Sequence, residues 1–389
     1  MSKSRIVITC AKGISSYLKE EVLDLGFPIL FEEISSIGTE GTLEDTLKLN
    51  LFLRTGQRVL FLLREFRARD PEELYHKVLT LPWENYILEG SYLCVTSTVD
   101  TETIRDSRFA NLKCKDAIVD RFYQRVRKRP DSGPERKGVV VHLYWKGERC
   151  LVYLDTSGEP LSKRGYRKTP VEAPMQETLA AAVLLAAGWK GNGNFINPMC
   201  GSGTLAIEAT LIALGRAPGL LRDHFGFMHL KGFNESLWRD IRTRARKTAK
   251  RSFDGKIIAT DLHREAVQAA KQNAATAGVD HWIEFGICDY SETPIPEGTG
   301  IVMLNPPYGE RLGDKKGLEE TYKGMGDFFK KKCEGYEGYI LTGNFDLAKK
   351  VGLRTKRRVP FFNGEIECRL LEYELYKGSR KHPSHLGDG

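Results

Sequence analysis

The sequence lacks any long hydrophobic run. Its longest unbroken apolar stretch is Leu179–Ala187, far short of the roughly 20 residues that a membrane-spanning helix needs. The opening MSKSRIVITC has no charged-then-apolar layout of an export signal. Cysteine is sparse: eight residues, at 10, 94, 114, 150, 200, 288, 333 and 368, form no C-x-x-C pair and no Cys/His ligand spacing. This argues against zinc sites and disulfide scaffolds and predicts a cytoplasmic chain with reduced thiols and no metal. No internal repeat is visible beyond two small α+β units at the front.

What is present is ordinary material for a multidomain globular chain: 389 residues, 41% hydrophobic and 28% charged. The net charge of +8, from 59 Lys+Arg against 51 Asp+Glu, is too modest to define a partner. Its distribution says more. Residues 105–137 hold eleven Lys/Arg against five Asp/Glu, and a second cluster, Arg239 to Arg251, holds seven basic residues.

Hydrophobic periodicity divides the chain. Strands over Arg5–Cys10, Ile29–Ile34, Gly38–Gly41 and Arg58–Leu63, with helices over Ile14–Leu25 and Leu43–Leu53, give the β-α-β-β-α-β order of a ferredoxin-like unit, residues 1–68. A second α+β unit, 69–160, follows. Asp70-Pro71 opens its first helix, Tyr92–Val99 is a strand, Ser107–Val126 a basic helix, and Gly138–Tyr144 with Cys150–Asp155 a hairpin. A linker rich in Gly, Pro and basic residues, 156–174, leads into residues 161–378. There, alternating strands and helices predict a doubly wound α/β fold with a mostly parallel sheet. The polar composition of residues 379–389 predicts an unordered tail.

Four strand ends in the last region carry chemistry. The first is Asn197-Pro198-Met199-Cys200-Gly201-Ser202-Gly203-Thr204, between a strand and a helix. Its glycines permit a tight turn and close approach to a ligand, although a plain strand–helix turn looks similar in isolation. The second is Asp261-Leu262, where a carboxylate can accept both ribose hydroxyls of a nucleoside or simply cap the next helix. The wide gap from Gly203 to Asp261 disagrees with a dinucleotide fingerprint and predicts an insertion near 216–253. Asp289-Tyr290 follows the next strand, and Asp289 can accept from an adenine amine. The fourth is Asn305-Pro306-Pro307-Tyr308, at the carboxyl end of a strand, where open α/β sheets bind ligands. Two prolines stiffen this loop and remove two N–H donors. The Asn305 side-chain oxygen and the Pro306 carbonyl then make a pair of acceptors suited to an exocyclic –NH2, and Tyr308 offers a stacking face.

N-P-P-Y after the fourth strand, with the glycine loop after the first, resembles the S-adenosylmethionine-dependent amino-methyltransferases. The wider layout resembles the THUMP-domain RNA methyltransferases, in particular the bacterial 23S rRNA guanine-N2 methyltransferases. Arg164-Gly165-Tyr166-Arg167, Ala173 to Ala181, Asn197 to Thr204 and Asn305 to Leu312 carry the likeness, which runs to about Lys377. It implies a Rossmann-like class I methyltransferase domain behind a ferredoxin-like domain and a THUMP RNA-binding domain. It also implies S-adenosylmethionine held by Asn197, Pro198, Cys200, Gly201, Ser202, Gly203, Thr204, Asp261, Leu262, Asp289, Tyr290 and Asn305. The catalytic loop would be Asn305, Pro306, Pro307 and Tyr308. Arg108, Lys113, Arg125, Arg127, Lys128, Arg129, Arg164 and Arg167 would bind RNA phosphates. The family usually has an acidic residue where Asn197 stands. Long relatives carry a second methyltransferase domain behind the first, so the expected activity is guanine-N2 methylation of 23S rRNA alone. A tRNA guanine-N2 methyltransferase shares every one of these residues. A protein glutamine or DNA adenine methyltransferase, an inactive RNA-binding module and an NAD-dependent oxidoreductase are the remaining readings, each fitting fewer of these features.

Overall fold

The computed structural model describes residues 2–104, 106–168, 175–307 and 315–376. The chain forms two compact units. One comprises residues 1–168, 175–182 and 214–251, the other 169–174, 183–213 and 252–389. The division falls within α5 (Glu177–Ala186).

The first unit is built on one eight-stranded sheet, in the order β2-β3-β1-β4-β8-β7-β5-β6. The ferredoxin-like part contributes β1 (Ser4–Thr9), α1 (Ser15–Asp24), β2 (Phe31–Glu33), β3 (Ser36–Gly41), α2 (Asp45–Phe52) and β4 (Arg58–Arg67). The following part contributes α3 (Pro71–Leu79), β5 (Tyr92–Asp100), α4 (Ser107–Val126), β6 (Asp131–Ser132), β7 (Val139–Lys146) and β8 (Arg149–Asp155). The Asp70 side chain accepts from the Glu72 and Glu73 amides at 2.9 and 2.8 Å, the cap that starts α3 with Pro71 at its first position.

The two parts share a sheet because β4 outruns the apolar stretch ending at Leu63. Its polar end, through Arg67, pairs antiparallel with β8 from Leu60↔Asp155 to Arg67↔Arg149, with an irregularity between Leu62 and Arg64. Leu60, Leu151 and Tyr153 seal that seam on one face.

The second unit is a seven-stranded sheet, in the order β11-β10-β9-β12-β13-β15-β14. Its strands are β9 (Asn194–Pro198), β10 (Ile257–Asp261), β11 (Ile283–Ile287), β12 (Gly300–Leu304), β13 (Glu337–Thr342), β14 (Arg357–Asn363) and β15 (Ile366–Glu374). The first five are parallel and β15 is antiparallel to both neighbours. Helices α6 (Thr204–Ala213), α8 (Arg264–Thr276), α9 (Lys315–Lys332) and α10 (Phe345–Ala348) connect them, while α7 (Glu235–Thr248) lies in the insertion. Val302, Leu304 and Ile340 from the strands pack with Tyr322, Met325 and Phe329 of α9 into its core. The segment between α6 and β10, marked by the sequence as an insertion, counts with the first unit from residue 214 to 251.

Candidate active site

The strand order reverses at β9: the chain leaves it for β10 on one side and reaches β12 on the other. Such a switch point opens a crevice at the carboxyl ends of the strands. The β9–β12 ladder stops at Ile196↔Val302. Beyond it the Asn197 side chain takes over, its Nδ2 donating to the Met303 carbonyl at 2.9 Å.

The turn after β9 is held in an unusual backbone shape. Met199 has φ 57°, in the left-handed region that non-glycine residues avoid. Gly201 has φ 54° and open space where a Cβ would stand. A Cβ on Gly203 would lie 2.9 Å from the Ala270 Cβ, so this position seats the loop directly against α8. Asp261 closes the arrangement: its Oδ2 accepts from the Gly201 amide at 2.9 Å and its Oδ1 from the His263 amide at 3.0 Å. A carboxylate offers about four lone-pair sites, so both oxygens retain capacity for ligand hydroxyls.

Two apolar side chains stand in solvent beside this carboxylate. Leu262 is 61% exposed, and Ile287, paired in register with Asp261 across β10 and β11, is 50% exposed. Ile287 was not among the expected site residues. Its signal was an apolar residue at a strand end, directly before Cys288-Asp289. Asp289 caps the short turn that follows, its Oδ1 accepting from the Ser291 amide at 2.9 Å and the Ser291 hydroxyl at 2.6 Å.

Two polar atoms in the crevice are conspicuous. Asn197 Oδ1 and Asn305 Oδ1 are buried and find no hydrogen-bond partner among the described residues. Leaving such an acceptor unsatisfied costs about 1–3 kcal/mol, and buried orphans of this kind mark places where a ligand completes the bonding. The two sit at the ends of the adjacent strands β9 and β12. Pro306, next to Asn305, is buried and Pro307 is exposed. An open glycine turn, a carboxylate with spare acceptor capacity, apolar cover at Leu262 and Ile287, and the orphan Asn197 oxygen fit a nucleoside-bearing cofactor with donors at its far end, and the Asn305 oxygen is left for a second donor.

Other expected residues are placed differently. The Cys200 amide is engaged by the Thr260 carbonyl at 2.9 Å, and burial, reinforced by Asp261, pushes its thiol well above its ordinary range, so it is unreactive. Pro198 ends β9, paired in register with Thr260. Ser202 is buried, its carbonyl accepting from Asn273 Nδ2 at 3.1 Å, and Thr204 begins α6. Tyr290 turns onto α9, edge-on to Phe328 at 6.1 Å, with its hydroxyl donating to the Thr321 carbonyl at 3.3 Å. Tyr308 lies outside the described residues.

The expected RNA-binding residues also separate. Arg164 requires correction: it is 1% exposed and donates to the Leu161 carbonyl at 2.9 Å and to the Arg54 carbonyl. It is an internal brace, because the polypeptide folds back and offers carbonyls that the sequence cannot announce. Arg167 is largely buried as well, donating to the Met175 carbonyl at 2.6 Å and pairing with Glu177 at 3.3 Å. Arg108, Arg125, Lys128 and Arg129 are exposed but carry acidic partners: Asp106, Glu84, Glu89 and Asp120. Lys113 pairs with Glu72, and Arg127 terminates α4 with φ 62°.

Comparison with known proteins places this geometry. The family model described as RMKL-like, methyltransferase domain matches residues 164–372. The RlmL ferredoxin-like domain matches 5–60 and the THUMP domain 68–155. The chain is 37% identical over 377 residues to the ribosomal RNA large subunit methyltransferase K/L of Syntrophotalea carbinolica, covering 94% of this chain and 53% of that protein. It spans about half the length of the curated relatives it matches. The structure of SMU.472, named as a candidate methyltransferase complexed with SAH, superposes with a TM-score of 0.87 at 30% identity, covering 98% of this chain and 100% of that one. A Listeria monocytogenes protein named as a predicted N6-adenine-specific DNA methylase superposes with a TM-score of 0.86 at 29% identity, covering 96% of each chain. Among the described residues no helix is long and apolar enough to cross a membrane. The chain belongs to the RMKL-like methyltransferase family, its methyltransferase domain preceded by an RlmL-type ferredoxin-like domain and a THUMP domain.

Proposed function

We propose that this chain methylates the exocyclic N2 amine of a guanine in 23S ribosomal RNA. The cofactor of the family is S-adenosylmethionine, which supplies an electrophilic methyl group on a sulfonium leaving group. The observation that carries the choice of an amine is the buried Asn305 Oδ1 at the end of β12, which has no partner among the described residues.

A guanine N2 lone pair is delocalised into the ring and is a weak nucleophile. Asn305 Oδ1 and the Pro306 carbonyl accept its two N–H bonds and turn the lone pair toward the methyl carbon. Charge developing on nitrogen is stabilised by the same two oxygens, held in place before the reaction. When bound, the sulfonium would give up its methyl group to N2 and keep the bonding pair, and the N2 proton would pass to solvent. No strong base is required, in keeping with the absence of a histidine or carboxylate from Asn305-Pro306-Pro307-Tyr308. Asp261 holds the ribose hydroxyls, with Leu262 and Ile287 covering the adenine and Asp289 at its amine. Asn197 Oδ1 accepts from the amino-acid end of the cofactor. The target base leaves its stack to enter.

The ribosomal substrate is drawn from the names of the relatives at 34–37% identity and from the THUMP match. The test incubates the purified chain and S-adenosylmethionine with unmodified rRNA and, separately, tRNA, followed by nucleoside mass spectrometry. N2-methylguanosine in the 23S rRNA digest is expected. N6-methyladenosine or 7-methylguanosine in its place would overturn the choice of acceptor, and N2-methylguanosine in tRNA alone would move the substrate.

A further inference from the structure

Two basic clusters marked by the sequence, on α4 and on α7, differ in how far acidic side chains already pair with them. Over residues 106–137, eight of the ten described Lys and Arg side chains have an acidic partner: Arg108, Lys113, Lys115, Arg121, Arg125, Lys128, Arg129 and Lys137. The surface is basic in composition and largely neutralised in space. A phosphate that binds there must displace a carboxylate or tolerate one.

The insertion is different. From Arg239 to Arg251 there are seven basic residues and one acidic residue, Asp240. Of the seven, Arg239 alone is in an ion pair among the described residues, with Glu235 at 3.0 Å. Arg244, Arg246, Lys247, Lys250 and Arg251 are exposed and have no acidic partner among the described residues. Helix α7 starts on an Asn234 cap that accepts from the Leu237 amide at 3.0 Å, and it anchors itself through buried Trp238 and Ala245. At 100° per residue, Lys247 falls opposite those two anchors, Arg239 and Arg244 flank it on either side, and Arg246 stands at about 90° to the anchors. Arg242 alone leans back, over the Trp238 ring at 5.6 Å.

The segment is also held firmly. The buried Arg222 guanidinium donates to the carbonyls of Pro160 and Lys163 at 2.7 and 2.9 Å, and to those of Glu159, Ser157 and His224 at 3.0, 3.3 and 3.3 Å. A Cβ on Gly219 would stand 2.7 Å from the Leu51 Cα, so the segment lies directly on the ferredoxin-like part. A fixed scaffold presenting uncompensated cations has the charge complementarity for a polyanion, without a prior ion pair to break.

We infer that α7 and the residues after it, through Arg244, Arg246, Lys247, Lys250 and Arg251, form the principal phosphate-binding surface of this chain for RNA. The inference rests on the RNA reading above. It assigns the main backbone grip to the insertion rather than to α4.

The experiment measures Kd for a fluorescein-labelled 23S rRNA transcript by anisotropy across a KCl series. It compares wild type, R244Q/R246Q/K247Q/K250Q/R251Q and the α4 set R108Q/R125Q/K128Q/R129Q. Each lost phosphate contact flattens log K against log[salt] by a little under 1. The insertion variant is expected to flatten the slope by about 2–4 and weaken binding by about 10²-fold near 0.1 M salt. The α4 set is expected to change the slope by less than about 1. Circular dichroism reports whether the fold is retained, and R244E/K247E replaces the fivefold variant should that one fail to fold. An unchanged slope in the insertion variant, or a larger loss in the α4 set, overturns the inference while wild-type RNA binding leaves the function standing. Salt-insensitive or absent binding by wild type overturns both. Tighter binding of wild type to phosphatidylglycerol vesicles than to RNA, lost in the insertion variant, overturns the choice of partner.

Discussion

The two units of this chain carry function in opposite ways. In the second, the decisive atoms are few, buried and directional: Asn197 Oδ1, Asn305 Oδ1 and the Asp261 carboxylate that locks the Gly201 amide. In the first, the groups proposed to hold RNA are many, exposed and interchangeable, and what distinguishes them is whether a carboxylate already stands beside them. Short-range chemistry has to be specified atom by atom, because a misplaced acceptor contributes nothing. A phosphate grip has to be specified by net field, because screened charges act over about 8–10 Å. Single substitutions are therefore expected to act strongly in one unit and weakly in the other.

The largest effect expected is at Asn305. Asn305→Ala removes one of two preorganised acceptors and should lower kcat by about 10²–10³, with cofactor affinity little changed. Single-turnover methylation and calorimetry separate the two quantities. Turnover near that of wild type would remove Asn305 from the chemistry and erase the contrast with the first unit.

Arg222→Met tests an exception, a directional group in the unit of diffuse charge. Burial, with Arg164 nearby, lowers the guanidinium pKa to about 10, and it remains charged at neutral pH. Its removal strands carbonyls from Ser157 to His224. The expected loss is about 2–4 kcal/mol in denaturant unfolding followed by a probe in the first unit. Cofactor binding in the second unit should be unchanged.

Asp261→Ala comes next. It removes a charged acceptor and the lock on the Gly201 amide, and should weaken cofactor binding by about 10–10²-fold in calorimetry. RNA affinity at fixed salt should not move, because the proposed phosphate grip is built from residues of the first unit.

The smallest effect concerns pH. His142 in β7 touches Thr96 Oγ1 through Nδ1 at 3.0 Å, and burial, aided by Arg58, lowers its pKa to about 4. The folded state therefore prefers the neutral ring. Its contribution to stability is complete above the unfolded value of about 6.5 and is lost as pH falls toward 4. His142→Gln should flatten the fall of the first unit's melting temperature over that range, read by thermal scans at several pH values. An unaltered difference from wild type at every pH would refute it.

The same contrast governs what could be read from the sequence. Ser107–Val126 and Gly300–Leu304 form a helix and a strand over those spans, because each has a clear period and local end signals. The crevice was legible because its residues cluster at strand ends in contiguous motifs. The hairpin of β14 and β15 went unread, although Asn363-Gly364 is a strong turn signal. Pro360 disguised β14, and a proline is tolerated there because β14 is the sheet edge. Arg164 was expected to hold a phosphate on the strength of the family resemblance. That its guanidinium meets the carbonyls of Leu161 and Arg54 is a long-range fact with no local pattern. The pairing state of α4 is hidden for the same reason, since Glu72, Glu84 and Glu89 are remote in sequence.

One measurement reaches the central claim, that paired oxygens at Asn305 and Pro306 receive a nucleobase amine. Two 23S rRNA transcripts, one with guanosine and one with inosine throughout, are compared in methyl transfer from labelled S-adenosylmethionine. Inosine differs from guanosine only in lacking the N2 amine, so label should enter the guanosine transcript and be absent from the inosine transcript. Equal incorporation into both would contradict the account.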